Sequence, residues 1–214
     1  MLSIAVSKGR LSDAFADILE CAGYPCHVLK ESTRKLVIES PEAGLRFILA
    51  KPTDVPTYVE YGAADLGVVG KDTLVEANKR VAELVDLRYG RCVMVVAVPK
   101  AAGIQNVTDL DFNSRVATKY PHIARTYFQD HGIQAEVIPL HGSIELGPII
   151  GLADAIVDIT ETGRTLVENG LESIAEVMDS SCRLIANRVS YKMKYTEMQR
   201  LVEAVEGVVA DEDH

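Results

Sequence analysis

DAIVDITETGRTL, residues 154 to 166, joins a predicted strand directly to a predicted helix and decides how the rest of the chain is interpreted. Its first half is apolar between two aspartates, as in a buried strand, and its second half is rich in threonine, with a glycine near the predicted helix start. Strand–turn–helix units of this kind recur along the chain. Their alternation predicts an α/β fold of mostly parallel sheets flanked by helices, with ligands at the carboxyl ends of the strands.

The alternating units form two series, near residues 1–92 and 93–178. We therefore predict two lobes with a cleft between them. No low-complexity linker separates the series, so the connections between the lobes are expected to be strands themselves.

The composition is that of a globular protein large enough to form a core without disulfides or metal, with 48% hydrophobic and 25% charged residues. The four cysteines have no C-x-x-C spacing and the histidines have no metal spacing, so no protein-held metal site is predicted. The short apolar start does not resemble a signal peptide, and no apolar run approaches the roughly 18 residues of a membrane span. We therefore expect a cytoplasmic protein that does not bind membranes.

The formal net charge of -9 argues against a general nucleic-acid binder, because affinity for the phosphate backbone depends on Lys and Arg. The charge is unevenly distributed, since residues 1–51 carry a net charge of +1 and the remaining residues carry -10. A small polyanionic ligand held by the first segment would fit this distribution, although a mixed-charge surface without a ligand would give the same count.

The threonine-rich half of the opening segment contains Thr160, Thr162, Gly163 and Thr165. The first backbone N–H groups of a helix lack partners within the helix and lie at the positive end of its dipole, so they attract an anion. Threonine hydroxyls add donors, and glycine allows close approach of the backbone. The segment therefore predicts a monophosphate site.

Asp154 and Asp158 lie four residues apart on the predicted strand and therefore share a face. Carboxylates accept hydrogen bonds from ribose hydroxyls, so sugar and phosphate could be bound by one segment. The competing interpretation is a helix cap, in which Thr160 or Thr162 caps the helix and the acids are polar strand ends. The combination of two aspartates with three threonines favours the phosphate site.

A second anion site is predicted at the first strand-to-helix turn, where Gly9 separates Lys8 and Arg10. Arg34 and Lys51 are further candidates, the latter directly after a predicted buried strand. Each of these cations could instead be a solvated surface charge.

The chain resembles the short form of ATP phosphoribosyltransferase over nearly its whole length. The resemblance rests on five blocks in order: SKGRL (7–11), KPTDVPTYVEYGAADLGVVGKD (51–72), VATKYP (116–121), HGSIELGP (141–148) and DAIVDITETGRTL (154–166). It implies a two-lobed fold of the periplasmic-binding-protein type (type II) with the active site in the cleft between the lobes. Residues 1–92 with about 179–214 would form lobe I, on the ATP side, and residues 93–178 lobe II, on the phosphoribosyl pyrophosphate side.

The resemblance implies the first step of histidine biosynthesis, in which the phosphoribosyl group of phosphoribosyl pyrophosphate is transferred to N1 of the adenine of ATP. Mg²⁺ would accompany the pyrophosphate substrate, and pyrophosphate would be released. The implied donor site comprises Glu145, Asp154, Asp158, Thr160, Glu161, Thr162, Gly163, Arg164 and Thr165. The implied ATP site comprises Lys8, Gly9, Arg10, Arg34, Lys51, Gly70, Asp72 and Tyr120.

Among the ATP-site residues, Lys8, Arg34 and Lys51 would be catalytic by stabilising charge on the triphosphate and on the departing pyrophosphate. Many relatives have Arg where this chain has Lys51. A guanidinium binds phosphate through two parallel hydrogen bonds and an ammonium does not, so the main leaving-group role is assigned to Arg34. Tyr120 would stack on or border the adenine.

The long form of the family continues into a regulatory domain, whereas only a short acidic tail follows the last predicted helix here. The resemblance therefore implies a homodimer that assembles with a regulatory subunit resembling histidyl-tRNA synthetase, which senses histidine. The alternative is a two-lobed module that binds a small ligand without catalysis.

Overall fold

The computed structural model describes residues 1–31 and 34–211. The chain divides into two compact units: unit 1 comprises Met1–Gly90 and the residues from Ser181 onward, and unit 2 comprises Arg91–Ser180. The chain thus leaves unit 1 once and returns to it. Within the described ranges, no helix combines the length and apolar composition needed to cross a membrane.

Each unit contains one sheet with helices packed against it. The strands are β1 (Leu2–Ser7), β2 (Val37–Ser40), β3 (Leu45–Ala50), β4 (Leu66–Gly70), β5 (Ala82–Asp86), β6 (Cys92–Pro99), β7 (Arg115–Thr118), β8 (Glu136–Pro139), β9 (Ala155–Thr160), β10 (Leu171–Ser180) and β11 (Cys182–Ala186). The α-helices are α1 (Arg10–Cys21), α2 (Val55–Glu60), α3 (Lys71–Ala77), α4 (Pro121–Asp130), α5 (Leu146–Ile149), α6 (Arg164–Glu168), α7 (Arg188–Met193) and α8 (Tyr195–Asp211).

The sheet of unit 1 has the strand order β2-β3-β1-β4-β11-β5. Its central strand β1 is buried along its whole length, because α1 and α8 contribute to the core on one face and α2 contributes to the core on the other. Strands covered on both faces have mostly apolar sequences, as LSIAVS does apart from its two buried serines. Strands β2 and β3 form an antiparallel hairpin, with Val37 opposite Ile48.

The sheet of unit 2 has the strand order β10-β6-β9-β7-β8. The three neighbouring strands β9, β7 and β8 run parallel, and β6 runs antiparallel to both β9 and β10. The core includes the fully buried Ile156 on β9 and Ala117 on β7.

The sheets are mixed rather than mostly parallel, which corrects one feature of the predicted fold. In each unit one reversed strand lies between two strands of the common direction: β11 lies between β4 and β5, and β6 lies between β9 and β10. These are the strands next to the two crossings of the chain between units. Strand order depends on long-range pairing and cannot be read from local periodicity.

The sequence of residues 182–189 is strand-like throughout, but the strand in the structure is shorter. It ends at Ala186, and Asn187 begins helix α7, with its side chain accepting hydrogen bonds from the amides of Val189 and Ser190 at 3.0 and 2.8 Å. Asparagine is a strong N-cap residue, so the signal for this helix start is present in the sequence.

Candidate active site

The basic residues predicted to bind phosphate in unit 1 follow the carboxyl ends of adjacent strands. The register of the parallel pair β1 and β3 places Ser7 opposite Ala50. The next residues along the chain, Lys8 and Lys51, therefore leave neighbouring strands at the same level. The structure thus brings two predicted cations to one edge of the sheet.

Two further predicted residues belong to this edge. Gly70 ends β4, which pairs in parallel with β1 on its other side. Arg34 lies three residues before β2, and β2 runs antiparallel to β3, so its beginning adjoins the carboxyl end of β3. The amide of Leu49 donates to the carbonyl of Leu36 at 2.8 Å, which extends this pairing toward Arg34. The edge of the unit 1 sheet at the carboxyl ends of its parallel strands therefore carries several cations. We call it the basic edge; its residues are Lys8, Arg10, Arg34 and Lys51.

The turn between β1 and α1 has a backbone that favours glycine. Gly9 has φ 106° and ψ −155°, a conformation essentially confined to glycine, and a Cβ built there would meet no atom within 4 Å. Its carbonyl accepts hydrogen bonds from the amides of Ser12 and Asp13 at 2.9 and 3.1 Å. The glycine is thus required by the backbone conformation, and the space beside it is open.

A tyrosine in the segment after β5 holds the first turn of α1 in place. The hydroxyl of Tyr89 donates to the carbonyl of Leu11 at 2.9 Å. Burial raises the pKa of Tyr89, so its hydroxyl stays protonated and remains a donor. This contact fixes the turn that carries Lys8 and Arg10. Both of these residues are exposed.

Asp72 lies at the same edge but points inward. Its side chain is 7% exposed, and a Cβ built on Gly70 would come within 2.4 Å of its Oδ1 atom. The hydroxyl of Thr73 donates to its Oδ2 atom at 3.2 Å. The predicted contact of Asp72 with ATP gains no support from this orientation, which packs the carboxylate against Gly70.

In unit 2 the carboxyl ends of β9, β7 and β8 meet at one edge. The register places Thr118 of β7 opposite Val157 of β9 and opposite Pro139 of β8. The segments that follow these residues are the threonine-rich loop with Asp158, the turn from Lys119, and the loop leading to Glu145. The structure thus brings Asp158 to the edge that carries the threonine-rich loop, and the loop leading to Glu145 starts at that edge.

The threonine-rich loop has a defined turn that does not match a threonine helix cap. The amide of Gly163 donates to the hydroxyl of Thr160 at 2.8 Å, which closes the turn. Helix α6 starts after Gly163, which occupies the N-cap position with φ 72° and forms no side-chain cap bond. The only link from Thr162 to the helix is a long bond of 3.4 Å from the amide of Arg164.

The remaining loop residues differ in their availability for a ligand. Glu161, Thr162 and Thr165 are exposed. The guanidinium of Arg164 is also exposed, but its Nε atom donates to Glu168 at 2.7 Å along the helix. The exposed threonine hydroxyls are therefore the most accessible side-chain donors of the loop.

The two aspartates of the segment lie at opposite ends of β9. Asp158 is near the loop, where its Oδ1 atom accepts a hydrogen bond from the amide of Ile159 at 2.8 Å. Asp154 precedes the strand, roughly 13 Å away along an extended chain, and its Oδ2 atom accepts a 2.8 Å bond from the amide of Arg115. The structure therefore does not bring Asp154 to the phosphate loop.

Tyr120 lies in unit 2, unlike the other residues predicted for ATP. Its side chain is only 4% exposed, and its amide donates to the hydroxyl of Thr118 at 2.9 Å. A buried ring does not present a face to an adenine, so the predicted stacking has no support here. The preceding residue, Lys119, is exposed at the edge that carries Asp158. The sequence did not predict it as a binding residue.

The acidic and sulfur-bearing side chains do not form a metal centre in the part of the chain that the structure describes. There, no group of three or more His, Cys, Asp or Glu residues is placed to hold an ion.

The two units, each with a mixed sheet and polar loops at the carboxyl ends of its parallel strands, define an α/β protein of the two-lobed binding-protein class. The periplasmic aliphatic sulphonate binding protein SsuA from Escherichia coli has this fold, with a TM-score of 0.62 at 17% identity over 98% of this chain and 72% of that chain. A family model described as ATP phosphoribosyltransferase matches residues 51–207. The chain belongs to the ATP phosphoribosyltransferase family.

Several relatives of this family are similar over nearly their whole length. The ATP phosphoribosyltransferase of Moorella thermoacetica is 49% identical over 96% of this chain and 92% of its own. That of Caldicellulosiruptor bescii is 48% identical over 99% of this chain and 100% of its own. A solved ATP phosphoribosyl transferase (HisG:HisZ) complex from Thermotoga maritima contains a chain with a TM-score of 0.84, 35% identity and full coverage of both chains.

Proposed function

We propose that this chain transfers the phosphoribosyl group of phosphoribosyl pyrophosphate to N1 of the adenine of ATP and releases pyrophosphate, the first step of histidine biosynthesis. The observation that carries the proposal is the threonine-rich loop at the carboxyl end of β9, with its exposed hydroxyls and a glycine in the left-handed conformation. The family to which the chain belongs supports the same reaction.

Phosphoribosyl pyrophosphate, the phosphoribosyl donor, would be bound by unit 2. The hydroxyls of Thr162 and Thr165 would donate to the 5-phosphate, together with backbone amides at the start of α6. Asp158, at the same end of β9, would accept hydrogen bonds from the ribose hydroxyls, and Glu145 would approach from the neighbouring loop. Asp154 has no part in this arrangement, because its carboxylate is bonded to the amide of Arg115 at the other end of the strand.

ATP would be bound by the basic edge of unit 1, through Lys8, Arg10, Arg34 and Lys51. Within residues 1–31 and 34–211, neither Arg34 nor Lys51 forms an ion pair or a side-chain hydrogen bond. Cations without an acidic partner among the described residues favour an anionic ligand, since a triphosphate then does not compete with a carboxylate.

The chemistry needs charge stabilisation rather than a covalent intermediate. The lone pair of adenine N1 attacks C1 of the ribose while the bond from C1 to the pyrophosphate oxygen breaks, and the electron pair leaves with the pyrophosphate. Negative charge therefore grows on the leaving group in the transition state. Arg34 and the nearby lysines would stabilise that charge, with Mg²⁺ carried by the pyrophosphate itself.

The structure of the Thermotoga maritima relative is a complex of two kinds of chain. Its similarity to this chain over the full length supports assembly with a regulatory subunit that resembles histidyl-tRNA synthetase. We propose that the catalytic chain forms a homodimer within that assembly and that histidine binds to the regulatory subunit.

The proposal is tested by incubating the purified chain with ATP, phosphoribosyl pyrophosphate and Mg²⁺, with and without the regulatory subunit. Pyrophosphate release and the mass of the product nucleotide are measured. We expect an ATP derivative that carries one phosphoribosyl group, and no pyrophosphate when ATP is omitted. Binding of both substrates without product in either mixture would instead identify a ligand-binding module without catalysis.

A further inference from the structure

We propose that Lys119 is an additional donor-binding residue, whose ammonium contacts a phosphate group of phosphoribosyl pyrophosphate. The inference rests on the proposed function and adds a cation to the donor half of the site. It is carried by the position of Lys119 in the sheet, by the contacts that fix its backbone, and by the charge balance of the surrounding edge.

Lys119 is the first residue after β7, the strand between β9 and β8. Because Thr118 pairs with Val157 of β9, the residue after each lies at the same level, which places the backbone of Lys119 beside that of Asp158. Neighbouring strands are about 4.8 Å apart. The lysine side chain is long enough to reach a phosphate in the adjacent threonine-rich loop.

The backbone on either side of Lys119 is held in place. The hydroxyl of Thr118, which is fully buried, donates to the carbonyl of Val157 at 2.6 Å and accepts from the amide of Tyr120 at 2.9 Å. The ring of Tyr120 is buried beneath the turn, with its centroid 5.8 Å from the Nζ atom of Lys119. An anchored backbone reduces the entropy lost when the ammonium binds a ligand.

The carboxylates near the threonine-rich loop would repel a phosphate unless a cation lies close by. Glu145, Asp158 and Glu161 bring carboxylates to a surface proposed to bind a polyanion, and the guanidinium of Arg164 is paired with Glu168. Lys119 is exposed and has no ion pair with any residue that the structure describes. Its positive charge therefore offsets local repulsion of the donor phosphates.

Lys100 provides a matched control in the same unit. It is also exposed and has no ion pair within the described ranges. It follows the end of β6, which runs antiparallel to β9, and therefore lies at the opposite edge of the sheet, away from the threonine-rich loop. Lys100→Met removes the same charge and keeps a similar side-chain length, but it changes no residue at the edge that carries the threonine-rich loop.

The test measures the dissociation constant of Mg²⁺–phosphoribosyl pyrophosphate by isothermal titration of the full chain. For Lys119→Met we expect a rise of about ten- to a hundredfold, the range for loss of a hydrogen bond to a charged group. Lys119→Arg should retain most of the affinity, Lys100→Met should match the wild type, and ATP binding should not change in any variant. Separate titrations with ribose 5-phosphate and pyrophosphate identify which phosphate Lys119 contacts, through the affinity that falls.

Wild-type affinity in Lys119→Met would contradict the inference while leaving the proposed function intact. An equal loss in Lys100→Met would also contradict it, because the effect would then be one of net charge. A wild-type chain that binds no phosphoribosyl pyrophosphate would contradict the proposed function and this inference together. Thermal unfolding followed by circular dichroism verifies that each variant is folded.

Discussion

The hydroxyl of Thr118, the last residue of β7, donates a 2.6 Å hydrogen bond to the carbonyl oxygen of Val157 in the parallel strand β9, three residues before β9 ends. One residue later, β7 leads to Lys119 and β9 leads to Asp158. The same hydroxyl accepts the amide of Tyr120 at 2.9 Å. A single buried side chain therefore fixes the relative positions of the two segments that we assign to the donor.

Thr118→Val should destabilise the protein and weaken donor binding. Valine has a similar shape but neither donates to Val157 nor accepts from the amide of Tyr120, so we expect the free energy of unfolding to fall by about 1 to 3 kcal/mol. Chemical denaturation measures this change, and titration should show a weaker affinity for phosphoribosyl pyrophosphate. A variant with wild-type stability and affinity would contradict the role assigned to this contact.

Thr126→Val is a suitable control for that experiment. Thr126 lies on the exposed side of α4 in the same unit, and its hydroxyl donates to the carbonyl of His122 at 3.0 Å within the helix. Because the site is exposed, water can replace this bond, and we expect a stability change within about 0.5 kcal/mol.

Arg34 should contribute more to the reaction than Lys51, although both belong to the basic edge of unit 1. A guanidinium binds phosphate in a bidentate manner and an ammonium acts as a point charge. We expect Arg34→Met to lower kcat/KM for ATP by about tenfold or more and Lys51→Met to lower it less. Steady-state kinetics of pyrophosphate release make the comparison, and an equal or greater loss in Lys51→Met would refute the ranking.

The control for the basic edge is Lys192→Met. Lys192 is an exposed residue of α7, the helix that follows β11. Since β11 runs antiparallel to β4, this helix begins at the opposite edge of the sheet from Gly70. The kinetic constants should therefore stay at their wild-type values.

The ion pair between Lys194 and Asp65 should make the stability of unit 1 depend on pH in the acid range. Lys194 Nζ lies 2.8 Å from Asp65 Oδ2, which also accepts the amide and hydroxyl of Ser3 at 2.9 and 3.0 Å. Burial alone would raise the pKa of Asp65, but the hydrogen bonds from Lys194 and Ser3 outweigh it and lower that pKa below its ordinary value.

A carboxylate with a lowered pKa stabilises the fold above its unfolded pKa of about 3.9 and loses this effect as the pH falls toward the lowered value. Lys194→Met should therefore reduce the free energy of unfolding at pH 7 by about 1 to 3 kcal/mol, and the difference from wild type should shrink below about pH 4. Denaturation at several pH values measures it. A difference that is equal at pH 3 and pH 7 would show that the ion pair is not its cause.

Local sequence signals predicted the strand-to-helix turns to which we assign ligand binding, because glycine, threonine and capping residues act on their immediate neighbours. The strand that leads into Thr160 and Gly163 is an example, and so is the turn at Gly9. The hydrogen-bond partner of the Asp154 carboxylate was not predictable from such local signals. Its partner is the amide of Arg115, a contact 39 residues apart that depends on strand order.

The exposure of Lys119 and the burial of Tyr120 were also not predictable from local sequence. Both belong to the block VATKYP, but only the fold reveals that the tyrosine is buried and the lysine exposed at the edge shared with Asp158. A turn after a strand exposes one side chain and buries the next according to tertiary packing, which local periodicity does not encode.

The affinity of Thr162→Val for Mg²⁺–phosphoribosyl pyrophosphate tests most directly the claim that the threonine-rich loop binds the donor phosphate. Thr162 is exposed, and among the described residues its side chain forms only a long 3.4 Å hydrogen bond, accepted from the amide of Arg164, so the substitution should leave the fold intact. We predict a loss of about 1 to 3 kcal/mol in donor binding, with ATP binding unchanged. An unchanged donor affinity would contradict the account and leave the loop as a structural turn.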